Sequence, residues 1–330
     1  MLPPLFSKNG QLLPIDKAII SVDNIEFTYG FGVYENLKVR NRILYFPELH
    51  IQRLFHSAKA IGLTTQYDQK TIHDFLINLI KKIKEGSFNL KMLCVGNKEG
   101  SDLYILALAP KFLTAKEYSQ GVQAITYKTE RQFPQAKTLN MLPSYIAYKK
   151  AHQEKCYDAL LVNEKDEILE GTRTNLFFTD GKTIFTAPED KVLNGVTRLT
   201  LIEAITRYNK GKANEKSQDK NPSLKNNVMK ETNKNPIKET GKKNENVIGA
   251  KNQEQSQPQK IIIKEKILKK DEINDYQGFF LTSTSSKIVP INKINETTIL
   301  IPNLIKKVMK IYDEYLMQYA SSQIDIKHAK

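Results

Sequence analysis

Apolar residues recur at helical spacing in some stretches of the chain and in short continuous runs in others. Residues 46–62 carry apolar side chains every three or four positions, which is the period of one helix face, and a second stripe starts near residue 71. Residues 90–95 and 103–108 are rich in aliphatic residues and are bounded by turn residues, as is typical of strands. The pattern therefore predicts a small domain of mixed helices and strands over residues 1–112.

A second block with the same alternation follows. Strand-like runs occupy residues 122–127, 159–163, 176–179, 183–187, 261–263 and 278–282. Helical stripes occupy residues 144–153, 198–208 and the stretch that begins near residue 302. Because 330 residues are more than one small core needs, we expect a larger second domain over residues 122–330, with residues 113–121 as the linker.

Residues 209–260 interrupt the second block. This Lys/Asn-rich segment has no aromatic residue and only scattered aliphatic ones, so it cannot bury enough apolar surface to offset its chain entropy. It carries twelve lysines and six acidic residues, which accounts for +6 of the net charge of +14. The pattern predicts a disordered insertion that holds much of the basic excess.

The charge and the composition exclude several classes of protein. A folded nucleic-acid groove interleaves basic residues with stacking aromatic residues, which the insertion lacks, so nucleic-acid binding through it is only a minor alternative. No apolar run approaches the length of a membrane span, and the five histidines form no metal-type cluster, so we expect neither a membrane nor a metal. The two cysteines, Cys94 and Cys156, are too few for a disulfide framework, which favours reduced thiols and a cytoplasmic protein.

Two segments have the residues of an anion site. Asn194-Gly-Val-Thr-Arg198 leads straight into an amphipathic helix, where free backbone N–H groups and the positive helix end can bind a phosphate. Leu281-Thr-Ser-Thr-Ser-Ser-Lys287 places several hydroxyl groups at a predicted strand end. Taken alone, helix capping explains the first segment and a polar turn explains the second.

Two further residues change this interpretation. Lys137 lies between a predicted strand and a predicted helix, where its amine has little freedom, and Glu170 lies at a predicted strand end beside a glycine turn. One lysine among fifty basic residues means little by itself. The order of these residues along the chain, together with the two anion cues, is more informative.

Five motifs in this order resemble the class IV pyridoxal-phosphate aminotransferases, which include branched-chain aminotransferase, D-amino-acid aminotransferase and aminodeoxychorismate lyase. The motifs are His50-Ile-Gln-Arg-Leu54, Ala136-Lys-Thr-Leu-Asn140, Glu170-Gly-Thr-Arg-Thr-Asn175, Gly195-Val-Thr-Arg198 and Thr282-Ser-Thr-Ser285. The likeness spans about residues 10–208 and 261–317. It implies a mixed α/β, two-domain fold with pyridoxal 5'-phosphate in the interdomain cleft, and a homodimer in which a loop of the neighbouring subunit completes the pocket.

The resemblance also implies a role for each matched residue. Lys137 would bond to the cofactor aldehyde, which requires a neutral amine, and would then move the substrate proton. Glu170 would keep the pyridinium nitrogen protonated, so that the ring can accept electrons. The phosphate would lie among Arg53, the N–H groups of Val196 and Thr197, and Thr284.

The stretch Gly32-Val-Tyr-Glu-Asn-Leu-Lys38 is similar to the family segment beside the substrate, which makes Tyr34 and Lys38 substrate candidates. The backbone N–H groups near Thr284 and Ser285 are implied to receive the substrate α-carboxylate.

Departures from the family pattern bear on the substrate. Residues 91–96 hold no arginine, which argues against D-amino-acid specificity. Met141 stands where branched-chain enzymes often have a tyrosine, which argues against a strict branched-chain enzyme. Thr197 is retained, which favours transamination over the lyase reaction. We therefore predict an aminotransferase that moves an amino group between a branched-chain-like amino acid and 2-oxoglutarate. An aminodeoxychorismate lyase that releases pyruvate is the alternative.

Overall fold

The computed structural model describes residues 4–110, 112–218 and 260–323, with side chains up to residue 211 in the second range. The strands and most of the helices belong to one compact unit that comprises Met1–Thr206 and Ile261–Lys330. Within this unit the strands form two separate sheets.

The first sheet is antiparallel and built from six strands in the order β2-β1-β6-β5-β3-β4. The strands are β1 (Leu5–Lys8), β2 (Gln11–Pro14), β3 (Gly32–Arg40), β4 (Ile43–Leu44), β5 (Phe88–Asn97) and β6 (Gly100–Leu108). The helices of this part are α1 (Ile25–Thr28), α2 (Pro47–Ala60) and α3 (Gln69–Lys81).

Alternation along β3 decides which side chains face the site. Val33, Leu37 and Val39 are buried in a core that they share with apolar residues of α2 and α3. Since neighbouring residues of a strand point to opposite faces, Tyr34 and Asn36 face the other way.

The second sheet has the order β12-β11-β10-β14-β15-β7-β8-β9-β13, with β16 paired to β15. The strands are β7 (Val122–Lys128), β8 (Asp158–Val162), β9 (Glu167–Gly171), β10 (Asn175–Thr179), β11 (Thr183–Thr186), β12 (Ile262–Glu265), β13 (Leu268–Lys269), β14 (Gly278–Ser283), β15 (Lys287–Ile294) and β16 (Thr297–Thr298). The remaining helices are α4 (Ala115–Gln120), α5 (Leu142–Gln153), α6 (Val196–Gln218) and α7 (Asn303–Ser322).

Six of these strands close into a ring, because β9 pairs with β10 as well as with β8. The closing pair is Glu170 opposite Asn175. The strands of the ring share a buried apolar core that includes Leu160, Leu176 and Phe279. The closure of the ring therefore fixes the position of Glu170, one of the predicted site residues.

The helices and strands expected from the periodicity are present, with ends that differ by a few residues. The predicted linker contains α4, which begins with a capping box formed by Thr114 and Glu117. The division into two domains at residues 113–121 stays a prediction. No helix of the described residues is long and apolar enough to cross a membrane.

The predicted helix end at residue 208 is wrong, because α6 continues to Gln218, whereas the insertion over residues 209–260 stays a prediction. Once a helix is nucleated, each added residue gains a backbone hydrogen bond without any apolar burial, and no proline occurs before Pro222. The rest of the predicted disorder, at residues 219–259, lies outside the described residues.

Candidate active site

Eight of the nine predicted site residues line one cavity of about 300 Å³ between the outer face of β3 and the rim of the strand ring. These residues are Tyr34, Arg53, Lys137, Glu170, Val196, Thr197, Thr284 and Ser285. They come from segments that are up to 251 positions apart, so only the tertiary fold brings them together.

Hydrogen bonds of its backbone N–H and carbonyl groups fix the position of Lys137. Its N–H group donates a hydrogen bond to Ser57 Oγ at 3.0 Å, and its carbonyl accepts one from the Tyr34 N–H group at 2.9 Å. Thr138 forms an isolated β-bridge with Val33, and the Leu139 N–H group donates to the Gly32 carbonyl, so the segment is bonded to the start of β3. The amine, which donates to the Tyr34 hydroxyl at 3.2 Å, therefore projects into the cavity from a fixed point.

Glu170 lies at the end of β9 with 5 % of its surface exposed. One carboxylate oxygen faces Arg131 Nη1 at 3.3 Å, and the other accepts from the Leu193 N–H group at 3.4 Å. Burial raises the pKa of Glu170, whereas Arg131, the Leu193 N–H group and Lys137 lower it. A cation bound next to Glu170 would therefore favour the ionised form of this buried carboxyl group.

The turn after Glu170 is fastened by Asp158, which is fully buried. Its carboxylate accepts from the Thr172 N–H group at 3.2 Å, from the Thr172 hydroxyl, and from the Thr174 hydroxyl at 2.8 Å. Gly171 has no room for a side chain, since a Cβ atom there would lie 2.2 Å from Thr174 Oγ1. The sequence motif suggested neither Asp158 nor these hydroxyl groups as supports.

The first turn of α6 faces the cavity. The helix makes its first internal bond from the Leu199 N–H group to the Gly195 carbonyl, so the preceding N–H groups, including those of Val196 and Thr197, have no partner within the helix. Gly195 is needed because a Cβ atom there would lie 2.1 Å from Asn175 Oδ1. Free N–H groups at the positive end of a long helix bind anions.

Arg53 is fixed beside this helix start. Its Nε and Nη2 donate to the two oxygens of Glu35 at 2.7 and 2.8 Å, and its Nη1 donates to the Asn194 carbonyl at 2.9 Å. His50 Nδ1 donates to Glu35 at 2.8 Å, because a carboxylate can only accept. Burial opposes ionisation of Glu35, but Arg53 and His50 lower its pKa to about 2. The spacing of His50 and Arg53, three positions apart on one helix, is the signal that could have pointed to this buried cluster.

The hydroxyl-rich turn after β14 brings Thr284 and Ser285 to the lining of the cavity. Thr282, which also lines it, is buried, and its hydroxyl has no hydrogen-bond partner among the described residues. A buried hydroxyl without a partner is costly unless something in the cavity bonds to it.

Lys38, the ninth predicted residue, is not among the cavity-lining residues. It is buried on β3, with its amine over the Tyr45 ring at 4.8 Å. Burial, together with the nearby charges of Arg40 and Lys287, lowers the pKa of Lys38 to about 7.

Comparison with known proteins gives the family. The family model described as "Amino-transferase class IV" matches residues 32–219, which is more than half of the chain. The chain belongs to the class IV aminotransferases. This class IV aminotransferase is 24% identical over 304 residues to a D-alanine aminotransferase of Bacillus licheniformis, covering 88% of each chain. It is 32% identical over 210 residues to a probable branched-chain-amino-acid aminotransferase of Rickettsia typhi, which is 59% of this chain and 72% of the relative.

Solved structures of the family share its fold. The branched-chain aminotransferase of Thermoproteus uzoniensis, solved with norvaline, has a TM-score of 0.72 at 18% identity and covers 95% of this chain and 94% of its own. A putative 4-amino-4-deoxychorismate lyase from Legionella pneumophila has a TM-score of 0.67 at 20% identity, with 91% and 97% covered. The predicted mixed α/β class IV fold is confirmed.

Class IV aminotransferases depend on pyridoxal 5'-phosphate, and a branched-chain neighbour of the same fold was solved with pyridoxamine 5'-phosphate. The cavity residues fit that cofactor. Arg53, the free N–H groups at the start of α6 and the unpaired Thr282 hydroxyl suit its phosphate end or ring substituents. The amine of Lys137 and the carboxylate of Glu170 match its aldehyde and its ring nitrogen. Among the described residues, no group of His, Cys, Asp and Glu side chains is arranged to hold a metal ion.

Proposed function

We propose that this protein is an aminotransferase that moves an amino group between a branched-chain-like amino acid and 2-oxoglutarate. The observation that carries the proposal is the arrangement of Lys137 and Glu170 on one cavity, with Arg53 and the start of α6 on the same cavity. Bound there, pyridoxal 5'-phosphate supplies the electron sink, and the protein supplies orientation, charge and proton transfer.

The cavity lining includes apolar side chains that suit an aliphatic substrate. Leu108, Ala109 and Met141 line it with the Tyr34 ring, and Asn36 and Asn89 add amide groups. The turn that holds Thr284 and Ser285 offers hydroxyl groups on the cavity lining for a substrate carboxylate. Lys137 acts as the base that takes the proton from the substrate α-carbon and returns it, with the Tyr34 hydroxyl 3.2 Å from its amine to orient it.

The test compares Lys137→Ala with Lys128→Ala, an exposed lysine that pairs with Glu164. Purified protein should show the visible absorbance band of bound cofactor, and the band should shift when leucine or valine is added. Lys137→Ala should abolish the shift and the formation of glutamate from 2-oxoglutarate, whereas Lys128→Ala should retain both. Full activity of Lys137→Ala would refute the proposed role.

Aminodeoxychorismate lyase is the second candidate, because the same cofactor and the same lysine serve both reactions and the lyase neighbour shares the fold. Retention of Thr197 favours transamination. The two reactions separate in one assay series that measures pyruvate release from aminodeoxychorismate and glutamate formation from leucine and 2-oxoglutarate. Pyruvate release without glutamate formation would establish the lyase instead.

We also propose that the protein works as a homodimer. The segment between β2 and β3 leaves several large apolar side chains exposed, among them Ile19, Val22, Ile25 and Tyr29. Val22 is 93 % and Tyr29 81 % exposed. Contiguous exposed apolar residues mark interaction surfaces, and a second copy of the chain is the partner that the family resemblance implies.

A further inference from the structure

Arg131 lies between Glu170 and the Lys137 segment, which carry the central chemistry of the proposed reaction. Its Nη1 faces Glu170 Oε1 at 3.3 Å, and its Nη2 donates a short hydrogen bond to the Ala136 carbonyl. One rigid guanidinium thus contacts both the Glu170 carboxylate and the peptide group that precedes Lys137.

That peptide group is held at both of its ends. The Ala136 carbonyl belongs to the same planar unit as the Lys137 N–H group, which donates to Ser57 Oγ at 3.0 Å. Arg131 therefore restrains one side of the unit and Ser57 the other. Because the unit cannot rotate, the direction in which the Lys137 side chain leaves the backbone is set before any ligand binds.

Arg131 and Glu170 also separate two cavities. Both residues line the 300 Å³ cavity described above and a second one of about 500 Å³ behind it. The other charged residues that line the second cavity are Glu130, Glu164, Lys165, Glu167, Asp190 and Lys191. Arg131 is the neighbouring charge that most lowers the pKa of Glu170 against the effect of burial.

We propose that Arg131 is a positioning residue of the transamination site, which keeps Glu170 ionised and in place and fixes the segment that presents Lys137. The inference rests on the proposed function, which gives Glu170 and Lys137 their roles. It concerns the charge of Glu170 and the geometry of Lys137, and each of the two can be measured separately.

The charge is tested with Arg131→Gln, which keeps hydrogen-bond donors but removes the positive charge. Burial already raises the pKa of Glu170 and Arg131 opposes that shift, so the variant should raise this pKa further and favour the protonated carboxyl group. Affinity of the apoprotein for pyridoxal 5'-phosphate, followed by fluorescence titration, should fall about tenfold relative to the wild type at pH 7. The loss should shrink as the pH rises, because the carboxyl group then ionises without help.

The geometry is tested with Arg131→Lys, which keeps the charge but lacks the planar fork that reaches two acceptors. Cofactor affinity should stay close to wild type at every pH. The rate of the first half-reaction with leucine should fall at least several-fold with little change in KM, since Lys137 is presented less firmly. A variant with wild-type rate and affinity would overturn the positioning role.

Two comparisons separate this role from a general loss of stability. Arg42→Gln removes another partly buried arginine, one that donates to the Ile83 carbonyl, and should leave cofactor affinity unchanged. In a Glu170→Gln background, Arg131→Gln should weaken the cofactor little further, because the charge that it supports is already gone. Fully additive losses, or equal losses in the Arg42 and Arg131 variants, would overturn the proposal.

Cofactor affinity is measured on the apoprotein and does not depend on turnover. If the wild type binds the cofactor but transaminates no donor, the proposed function fails while the affinity and pH results still decide the part played by Arg131. If Arg131→Gln does not fold, Arg131→Lys and the Glu170→Gln protein still provide the comparison.

Discussion

Glu35 is a fully buried carboxylate whose two oxygens are bonded by Arg53 and His50. A buried charge is tolerated only when it is paired and hydrogen-bonded, and Glu35 satisfies both conditions. The two hydrogen bonds to Glu35 fix the Arg53 guanidinium, so that its Nη1 points towards the Asn194 carbonyl at the start of α6. Glu35 therefore orients Arg53 at the proposed phosphate site, although Glu35 itself does not line the cavity.

Glu35→Gln should destabilise the protein by about 3 kcal/mol, because it leaves the Arg53 charge without its partner in a buried site. The pKa of Glu35 is about 2, below its ordinary value of 4.5, so its contribution is complete above pH 4.5 and is lost as the pH falls towards 2. Urea unfolding at pH 7 and pH 3 measures the difference. Glu99→Gln, in an exposed turn, is the control and should be nearly neutral; equal stability of the two variants at pH 7 would contradict the assignment.

Lys38 is the opposite case, a buried cation to which no carboxylate of the described residues is bonded. Its pKa of about 7 lies below the ordinary 10.5, so the folded state binds fewer protons than the unfolded state between these values. Stability should therefore rise with pH through this window, and the full cost of burying the charge applies below pH 7.

Lys38→Met should raise the free energy of unfolding by about 1–3 kcal/mol at pH 6, with the gain disappearing as the pH approaches 10. Thermal unfolding across this range checks the prediction, and Lys128→Met at an exposed position serves as the control. A Lys38→Met protein that is no more stable than the wild type at pH 6 would show that the Lys38 amine is solvated.

At the scale of elements, the position of the start of α6 depends on the Asn175 side chain, which contacts the backbone at Leu193 and at Gly195. Asn175 Nδ2 donates to the Leu193 carbonyl at 2.8 Å, and its Oδ1 packs against Gly195. Asn175 is also the residue that pairs with Glu170 and closes the strand ring. The phosphate end and the ring end of the proposed site are therefore linked through one asparagine.

Gly195→Ala tests this contact. A Cβ atom 2.1 Å from Asn175 Oδ1 forces a shift, which should cost about 2 kcal/mol of stability and weaken binding of pyridoxal 5'-phosphate. In Gly211→Ala, on the same helix, the added Cβ atom meets none of the described residues within 4 Å, and the change should stabilise the helix by about 0.5–1 kcal/mol. Denaturant unfolding and cofactor titration of both proteins provide the measurement, and wild-type cofactor affinity in Gly195→Ala would disprove the steric argument.

At the scale of the whole molecule, the exposed apolar segment between β2 and β3 predicts self-association. Burial of Val22, Ile25 and Tyr29 in a dimer interface would remove their apolar surface from water. Analytical ultracentrifugation of the wild type should give twice the chain mass, and Val22→Asp combined with Ile25→Asp should shift the protein towards monomer. Lys17→Ala in the same segment should leave the dimer intact, and a monomeric wild type would contradict the prediction.

Much of the architecture could be predicted from the sequence because its signals are local. Periodicity located α2 and α3, and the strand runs located β5 and β6, since apolar spacing depends only on neighbours in the chain. Lys137 and Glu170 could be singled out because each lies in a short motif with a chemical meaning. The first turns of α6 were also predicted, but its extension to Gln218 was missed, because helix propagation does not require the apolar stripe by which helices were located.

The supporting residues could not be predicted, because their roles arise from contacts between distant parts of the chain. Ser57 meets the Lys137 N–H group across 80 positions, and the Asn194 carbonyl, which accepts from the predicted Arg53, lies 141 positions from that arginine. Arg131 lies close to Lys137 in sequence, yet its importance appears only when the strand ring brings Glu170 beside it.

By itself, the amino-acid sequence determined which residues carry reactive groups, in what order they occur, and which segments become helices and strands. Only the tertiary structure decided which carboxylate is ionised, which arginine is tethered and which lysine amine is buried over an aromatic ring. Those properties depend on burial and on charges brought close by packing, and neither is encoded within any one segment. Packing likewise places the Lys38 amine over the Tyr45 ring and outside the cavity, although Asn36, on the same face of β3, lines the cavity.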